Sequence, residues 1–414
     1  MRILMVSEDV PYPSMGGLAK HALNLSRALV EAGHEVDFLG GKQHSIEVAK
    51  NEGIFGGRFF GELPGQIGWK ELSLGMFLPP KRTWLAKRFA KVILRHAPRY
   101  DVIHYHGHVP NVARHIPRAI NFVQTRHDQG SDCFIHIRFR EGKICEATDP
   151  AECARCIAPQ PNFLQRAVSA MAVRRFRSEV AESFTRHKTV FVSDKLQRNC
   201  ARTLGPGQWG TTVHNFADIG NLKRAHQSAL SEPTSSQCGE IKLFIAGKLY
   251  PPKGVEAFLE ELLPRIPSNL SIAIAGDGGD EARLRQRFES EQVHFLGWCS
   301  PEKTMRMAAL SNAVVVPSIC EESFSTTILE ALLLGKPTYA LAYGGTPEMA
   351  KYAARGQLRL HQDMQALVQD LIALDADTSF RPMLDGPGGA DPVTHQLLRI
   401  YQGPFTVPES KSRP

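Results

Sequence analysis

Residues Val316–Glu348 read VPSICEESFSTTILEALLLGKPTYALAYGGTPE, and the fold class turns on this stretch. The β-branched run Asn312–Pro317 (NAVVVP) enters it as a buried parallel strand, and Leu329, Leu332 and Leu333 then recur at helical spacing up to the stop signal Gly335-Lys336-Pro337. A polar loop lies between them, at the carboxyl end of a strand, where open α/β sheets bind ligands. Ser325, Thr326 and Thr327 stand where a helix N-terminus presents unpaired amides and the positive end of its dipole to a phosphate. Glu322 in the loop and Glu330 in the helix bracket the site. Taken alone they are ordinary solvated acids. Beside this loop they suit a hydroxyl-rich ligand, because one carboxylate accepts both hydroxyls of a vicinal diol.

The same strand-turn-helix grammar recurs outward in both directions. At the start, Arg2–Val6 is a strand, Gly16-Gly17 opens a helix with Leu18, Ala22, Leu25 and Leu29 on one face, and Glu35–Leu39 is the next strand. No G-x-G-x-x-G follows the first strand, which argues against a dinucleotide dehydrogenase. The strands DVIHYH (101–106) and NFVQT (121–125) deliver His104, His106 and His108, then His127 and Asp128, at their carboxyl ends, placed to grip a hydroxyl or a phosphate. In the second half, IKLFIA (241–246) leads into Gly247-Lys248-Leu249-Tyr250-Pro251-Pro252-Lys253-Gly254, whose lysines are placed to neutralise a diphosphate. Further strand-then-glycine units follow at 271–278 and 293–297. Residues 44–80 lack periodicity and read as loop, and the polar run Lys223–Glu240 has the composition of a linker. The expected organisation is an N-terminal domain over 1–222, a second over 241–384, and a C-terminal helix and tail over 385–414.

At 414 residues the chain is long enough for two cores. No apolar run approaches a membrane span, and the first residues meet acids too early for a signal peptide, so a cytoplasmic location is expected. The net charge of +7 is uneven: residues 1–222 hold 30 Lys and Arg against 20 Asp and Glu, and the remainder 19 against 22. The first half therefore favours an anionic partner: a phospholipid surface at the inner face of the membrane, a phosphorylated acceptor, or nucleic acid. Its basic amphipathic helix KRTWLAKRFAKVILRH (81–96) suits either packing on a sheet or lying on a membrane. Of the eight cysteines, Cys133, Cys145, Cys153 and Cys156 follow C-x11-C-x7-C-x2-C, a spacing open to a structural zinc site, to plain reduced thiols or to an iron-sulfur cluster.

These motifs together resemble the retaining glycosyltransferases of family 4. The resemblance rests on Gly16-Gly17 before GHEV (33–36), DVIHYH, Thr125-x-His127-Asp128, His214-Asn215 with Asp218, Gly247-Lys248-Leu249 with Lys253-Gly254, Gly276-Asp277-Gly278, Glu322 to Glu330, and Gly344-Gly345-x-Pro347-Glu348. It implies the GT-B fold, α/β with two facing Rossmann-like domains and a donor/acceptor cleft. It also implies a nucleotide-sugar donor, a UDP-sugar first, with a saccharide or lipid-linked acceptor and no catalytic metal. Lys248 and Lys253 would hold the diphosphate, helped by Gly247, by the Ser325 and Thr326 amides and by the Gly16-Gly17 turn. Glu330 would hold the ribose diol, Glu322 the hydroxyls of the transferred sugar, and His127 would sit near that sugar and the acceptor. Lys248 replaces the family's usual arginine and loses its bidentate phosphate geometry. A nucleotide-sugar epimerase of the same fold is the alternative. A zinc-braced nucleic-acid-binding protein is a remote one, because it leaves the glycine turns of the second half without a purpose, and no nucleic-acid partner is expected.

Overall fold

A computed structural model describes residues 1–10, 16–41, 57–64, 78–157, 163–231 and 240–405. The chain divides into two compact units. The first takes Met1–Arg138, Cys145–His214 and Asp391–Pro414; the second takes Phe139–Ile144 and Asn215–Ala390.

The first unit is built on seven strands: β1 (Arg2–Val6), β2 (Glu35–Gly41), β3 (Phe59–Leu63), β4 (Val102–His106), β5 (Phe122–Arg126), β8 (Lys188–Phe191) and β9 (Thr211–Thr212). A short antiparallel hairpin of β6 (Phe139–Arg140) and β7 (Lys143–Ile144) intervenes in the chain. The strands stand in the order β3-β2-β1-β4-β5-β8-β9, every pair parallel. Parallel neighbours require crossovers, and the helices Gly17–Glu31 and Leu78–His96 supply them. The second helix presses Leu85, Phe89 and Ile93 against Leu4, Ile103 and Tyr105 of the sheet, so this basic helix does pack.

The second unit has β10 (Ile241–Ala246), β11 (Leu270–Ala275), β12 (Val293–Gly297), β13 (Ala313–Val316), β14 (Thr338–Leu341) and β15 (Leu358–His361). Their order is β12-β11-β10-β13-β14-β15, again wholly parallel. In each unit the sheet grows one way for three strands and then returns to the other side of the first. That reversal is the doubly wound signature, and it leaves a crevice at the carboxyl ends of the two strands flanking it. The crevices fall between β1 and β4 and between β10 and β13.

Several elements differ from expectation. Within 44–80, the described residues 57–64 hold an edge strand, β3, whose Phe59 pairs with Phe38, and 78–80 begin the helix Leu78–His96; the rest of that range lies outside the described residues. The helix Ile219–Leu230 occupies the first part of the expected linker; Asp218 caps it through Asn221 N at 3.0 Å. The helix Ala390–Gln402 lies almost wholly in the first unit and buries Leu397 and Tyr401.

The crevice of the second unit depends on close backbone approach. Gly254 has φ +70°, and a Cβ there would lie 2.0 Å from the carbonyl oxygen of Pro317. Gly254→Ala is therefore expected to destabilise the protein by about 2–4 kcal/mol, from left-handed strain plus a clash that only backbone movement relieves. Denaturant unfolding reads this directly. Gly16→Ala is the control: Gly16 has φ −73° and open space around it, and no measurable loss is expected.

Candidate active site

In the second unit three loops meet at the crevice, and Glu322 joins them. The β13 loop is tied to the β10 loop by Ile319 N donating to Pro252 O at 3.0 Å, and to the β14 loop by Gly345 N donating to Glu322 O at 2.6 Å. Gly344, at φ +64°, passes so near that a Cβ would sit 2.3 Å from the same Glu322 oxygen. Glu322 Oε1 accepts from Lys253 Nζ at 2.5 Å and from Ser318 Oγ at 2.6 Å. Burial alone would raise the Glu322 carboxyl, but the Lys253 ammonium and these two hydrogen bonds bring it below its ordinary value. Burial likewise opposes the Lys253 charge, and Glu322 outweighs it, so the lysine stays an ammonium. The pair, neutral overall, thus fixes the Lys253 ammonium, three-quarters screened from water, at the topological switch point.

The helix Thr326–Leu333 begins immediately beyond. Ser325 is its N-cap, with Oγ accepting from Ile328 N at 3.4 Å, and Thr326 is its first residue. The remaining first-turn amides have no intrahelical partner, the ordinary basis of anion binding at such an end. Glu330 stands half-buried in the second turn of this helix. Lys248 and Gly247 follow β10 and are exposed; Lys248 Nζ bridges Asp277 Oδ1 at 2.8 Å in a pair open to solvent. The structure therefore brings Lys253, Glu322, Ser325 and Thr326 to neighbouring loop ends, while Lys248 is held at an exposed bridge.

In the first unit the crevice between β1 and β4 is crossed by a charged network. His108 Nε2 donates to Asp9 Oδ2 at 2.8 Å, and His108 Nδ1 donates to Asp128 Oδ2 at 2.5 Å. Burial disfavours the imidazolium, yet the two carboxylates raise it well above its ordinary value. His136 Nδ1 donates to the same Asp128 oxygen at 3.1 Å, and its Nε2 accepts from Arg82 at 2.8 Å. His136 adopts φ +63°, uncommon for a side-chain-bearing residue, which argues that the surroundings impose its position. Glu8 accepts from the His108 amide at 2.6 Å and from the Tyr105 hydroxyl at 3.0 Å; burial pushes its carboxyl up to about 7.

Beside this network lies a ladder of neutral imidazoles. His104 pairs with Tyr401 Oη at 2.6 Å and with Thr125 Oγ1 at 2.7 Å. Its ring centre lies 4.0 Å from that of His106, tilted by 49°, and His106 Nδ1 meets His127 Nε2 at 3.0 Å. His21, on the first helix, packs 5.1 Å from the His127 ring. Burial holds His21 and His104 down at about 3 and His106 and His127 well below the ordinary histidine value. His127 is thus a neutral group, held from behind by His106. Gly16 and Gly17 open the first helix; neither has a positive φ, and a Cβ at either would meet nothing within 4 Å.

Sequence reading missed His21, Asp9, His136 and Tyr401. His21 was legible in principle, since it lies three residues after Leu18 and four before Leu25 on the buried face. The four cysteines do not converge. Among the described residues, the sets of three or more potential metal ligands within 4.8 Å of one another are His21/His106/His127 and His108/Asp128/His136, with no cysteine in either. Arg177 takes the position beside Cys153, donating to its Sγ at 3.1 Å, and burial pushes the Cys133 thiol up to about 12. The guanidinium occupies a position on the Cys153 sulfur that a metal would need.

Known proteins share this architecture. A family model described as Glycosyltransferase Family 4 matches residues 15–220, and one described as Glycosyl transferases group 1 matches residues 240–377. An uncharacterized glycosyltransferase of Methanocaldococcus jannaschii is 25% identical over 376 residues, 86% of this chain and 84% of that protein. N-acetyl-alpha-D-glucosaminyl L-malate synthase of Bacillus anthracis is 23% identical over 379 residues, 88% of this chain and 86% of that protein. Among solved structures, Anabaena HepE in complex with UDP aligns with TM-score 0.58 at 17% identity, over 96% of this chain and 99% of that one.

The histidine ladder makes a measurable demand on Tyr401. Removing its hydroxyl leaves a fully buried His104 nitrogen without its partner, so Tyr401→Phe is expected to cost about 1–3 kcal/mol. Urea unfolding of the two proteins measures it, and a difference near zero would mean that the contact does not order the ladder.

Proposed function

The chain belongs to the glycosyltransferases of family 4, with the GT-B fold, and we propose that it moves a hexosyl unit from a nucleotide sugar to an acceptor hydroxyl with retention of configuration. The observation that carries this reading is the Lys253–Glu322 pair at the switch point of the second sheet, beside a capped helix N-terminus. The barrier to transfer is departure of an anionic diphosphate from an oxocarbenium-like carbon. Fixed positive charge and free amides around that leaving group lower it. Lys253 and the Ser325 and Thr326 amides are assigned to it, with Lys248 joining after release of its solvent-exposed bridge to Asp277, a pair of little intrinsic strength. Gly16-Gly17 and Gly247 are assigned to close approach of the donor, and Glu330 to the ribose diol.

Glu322 is assigned to the hydroxyls of the transferred sugar. Two donors already share its Oε1, which supports an orienting role over that of a covalent nucleophile. His127, neutral and braced, is assigned to the sugar and the acceptor hydroxyl. In this reading the donor phosphate receives the acceptor proton on the same face of the sugar, and the reaction needs no divalent metal. UDP bound to HepE makes a UDP-sugar the first donor to test.

The acceptor proposed is a saccharide or a lipid-linked glycan, as in surface polysaccharide or glycolipid assembly. No helix among the described residues is long and apolar enough to cross a membrane, so contact with lipid would be peripheral. The helix Leu78–His96 supports such contact: Lys87, Arg88, Lys91 and Arg95 are exposed on it, and the Arg88 guanidinium lies 4.5 Å from the ring of exposed Trp84.

A panel of UDP-, GDP- and ADP-sugars tests the reading, with nucleotide release and the anomeric configuration of the product followed by NMR. Release of nucleotide with an axial donor bond kept axial is expected; inversion contradicts the mechanism. Consumption of donor without acceptor and without nucleotide release would identify an epimerase. Lys253→Ala is expected to lower kcat by about 10²–10³-fold, beyond any change in donor KM, and an unchanged kcat removes Lys253 from the leaving-group role.

A further inference from the structure

Two clusters in the first unit bring three metal-ligating side chains together, and they differ in chemistry. In the His108/Asp128/His136 set, His108 donates from both nitrogens to carboxylates and Arg82 donates to His136 Nε2. Its proton inventory is complete, and a cation entering there would displace hydrogen bonds that balance charge. The His21/His106/His127 set has no carboxylate.

Here three imidazoles surround one point. One ligand atom from each lies within 4.8 Å of the others, and the His106 Nδ1 to His127 Nε2 separation of 3.0 Å is close to that of two nitrogens on one tetrahedral ion. A single shared proton holds those two nitrogens together. An ion replaces it without loss of a proton to solvent, because the displaced proton moves to the other nitrogen of the same ring. His106 offers Nε2 for this, a buried atom with no hydrogen-bond partner among the described residues. His106 and His21 are buried and His127 is partly open, so an ion would have protein ligands on one side and a free position on the other. Three neutral imidazoles with an open fourth position suit zinc among the abundant divalent ions, whereas magnesium and calcium demand oxygen ligands.

We propose that His21, His106 and His127 form a zinc-binding site whose occupancy switches transfer off, because an ion on His127 Nε2 replaces the His106 hydrogen bond that braces the ring. The inhibitory half of this proposal rests on the role assigned to His127; the binding half does not.

Titration of the full-length protein with Co²⁺ as a spectroscopic substitute tests the binding half. One equivalent is expected to give the intense visible bands of a tetrahedral ion, without the near-ultraviolet charge transfer that thiolate ligands produce. His21→Gln should abolish these bands, and Cys153→Ser should leave them intact. Absent bands, bands that survive His21→Gln, or bands with thiolate charge transfer overturn the site. His21→Asn, with circular dichroism for both variants, separates loss of ligand from loss of fold. For the inhibitory half, zinc is added to the transfer assay. The concentration giving half inhibition should rise by more than about 100-fold in His21→Gln, exceeding the 10–100-fold that outer-shell partners carry. Equal inhibition of both proteins overturns the switch. Failure to detect transfer with any donor would refute the enzymatic assignment and leave the Co²⁺ result standing.

Discussion

The ion pair between Lys253 and Glu322 is the interaction on which the second unit's site depends. A part-buried pair contributes little net stability, because desolvation of both charges offsets most of their attraction. Its value lies in position. Glu322 binds the lysine through its side chain and the β14 loop through its backbone oxygen, while Ile319 of the same loop binds the β10 loop. Three loops from three parallel strands are fixed around one ammonium group. Gly254 and Gly344 are the positions where this closeness excludes a side chain, so backbone shape and charge placement are the same constraint.

The first unit solves a different electrostatic problem at the equivalent place. Its crevice carries one imidazolium, His108, neutralised by Asp9 and Asp128, and beside it a row of imidazoles that burial keeps neutral. Charge and neutrality are separated within a few ångströms by hydrogen-bond partners alone. His108 faces two carboxylates, whereas His106 faces only other imidazoles. In the proposed mechanism a neutral His127 would hydrogen-bond a sugar hydroxyl without bringing a charge that competes with the leaving group. The ladder reaches the C-terminal helix through Tyr401, so a segment far along the chain braces His104.

Much of this was legible in the sequence because doubly wound sheets write themselves as buried β-branched runs, each followed by a glycine turn and an amphipathic helix. Val316–Glu348 contained the strand end, the capping serine and both acids where the structure has them. Two edge strands were not legible, although the edge strand β12 was: β3 (FFGEL) and β15 (LRLH) are only partly buried, so neither reads as a continuous apolar run. Nor was the partner of each polar group. Lys248 and Lys253 look alike in a glycine-rich turn, and only the fold shows one exposed against Asp277 and the other buried on Glu322. Spacing brought the four cysteines together on paper, but a hairpin and a helix between them and the placement of Arg177 keep their sulfurs from converging. His21 and Tyr401 were missed for a related reason: a buried polar residue on an apolar helix face shows its purpose only when its neighbour across the core is known.

In the proposed mechanism the cation held by Glu322 is kept for the donor's diphosphate. A crystal structure of the protein with a bound nucleoside diphosphate would test this. Lys253 Nζ is expected within hydrogen-bond distance of a terminal phosphate oxygen, with both ribose hydroxyls on the Glu330 carboxylate. A nucleotide bound away from the 317–325 loop, or Lys253 still bonded to Glu322 alone, would contradict it.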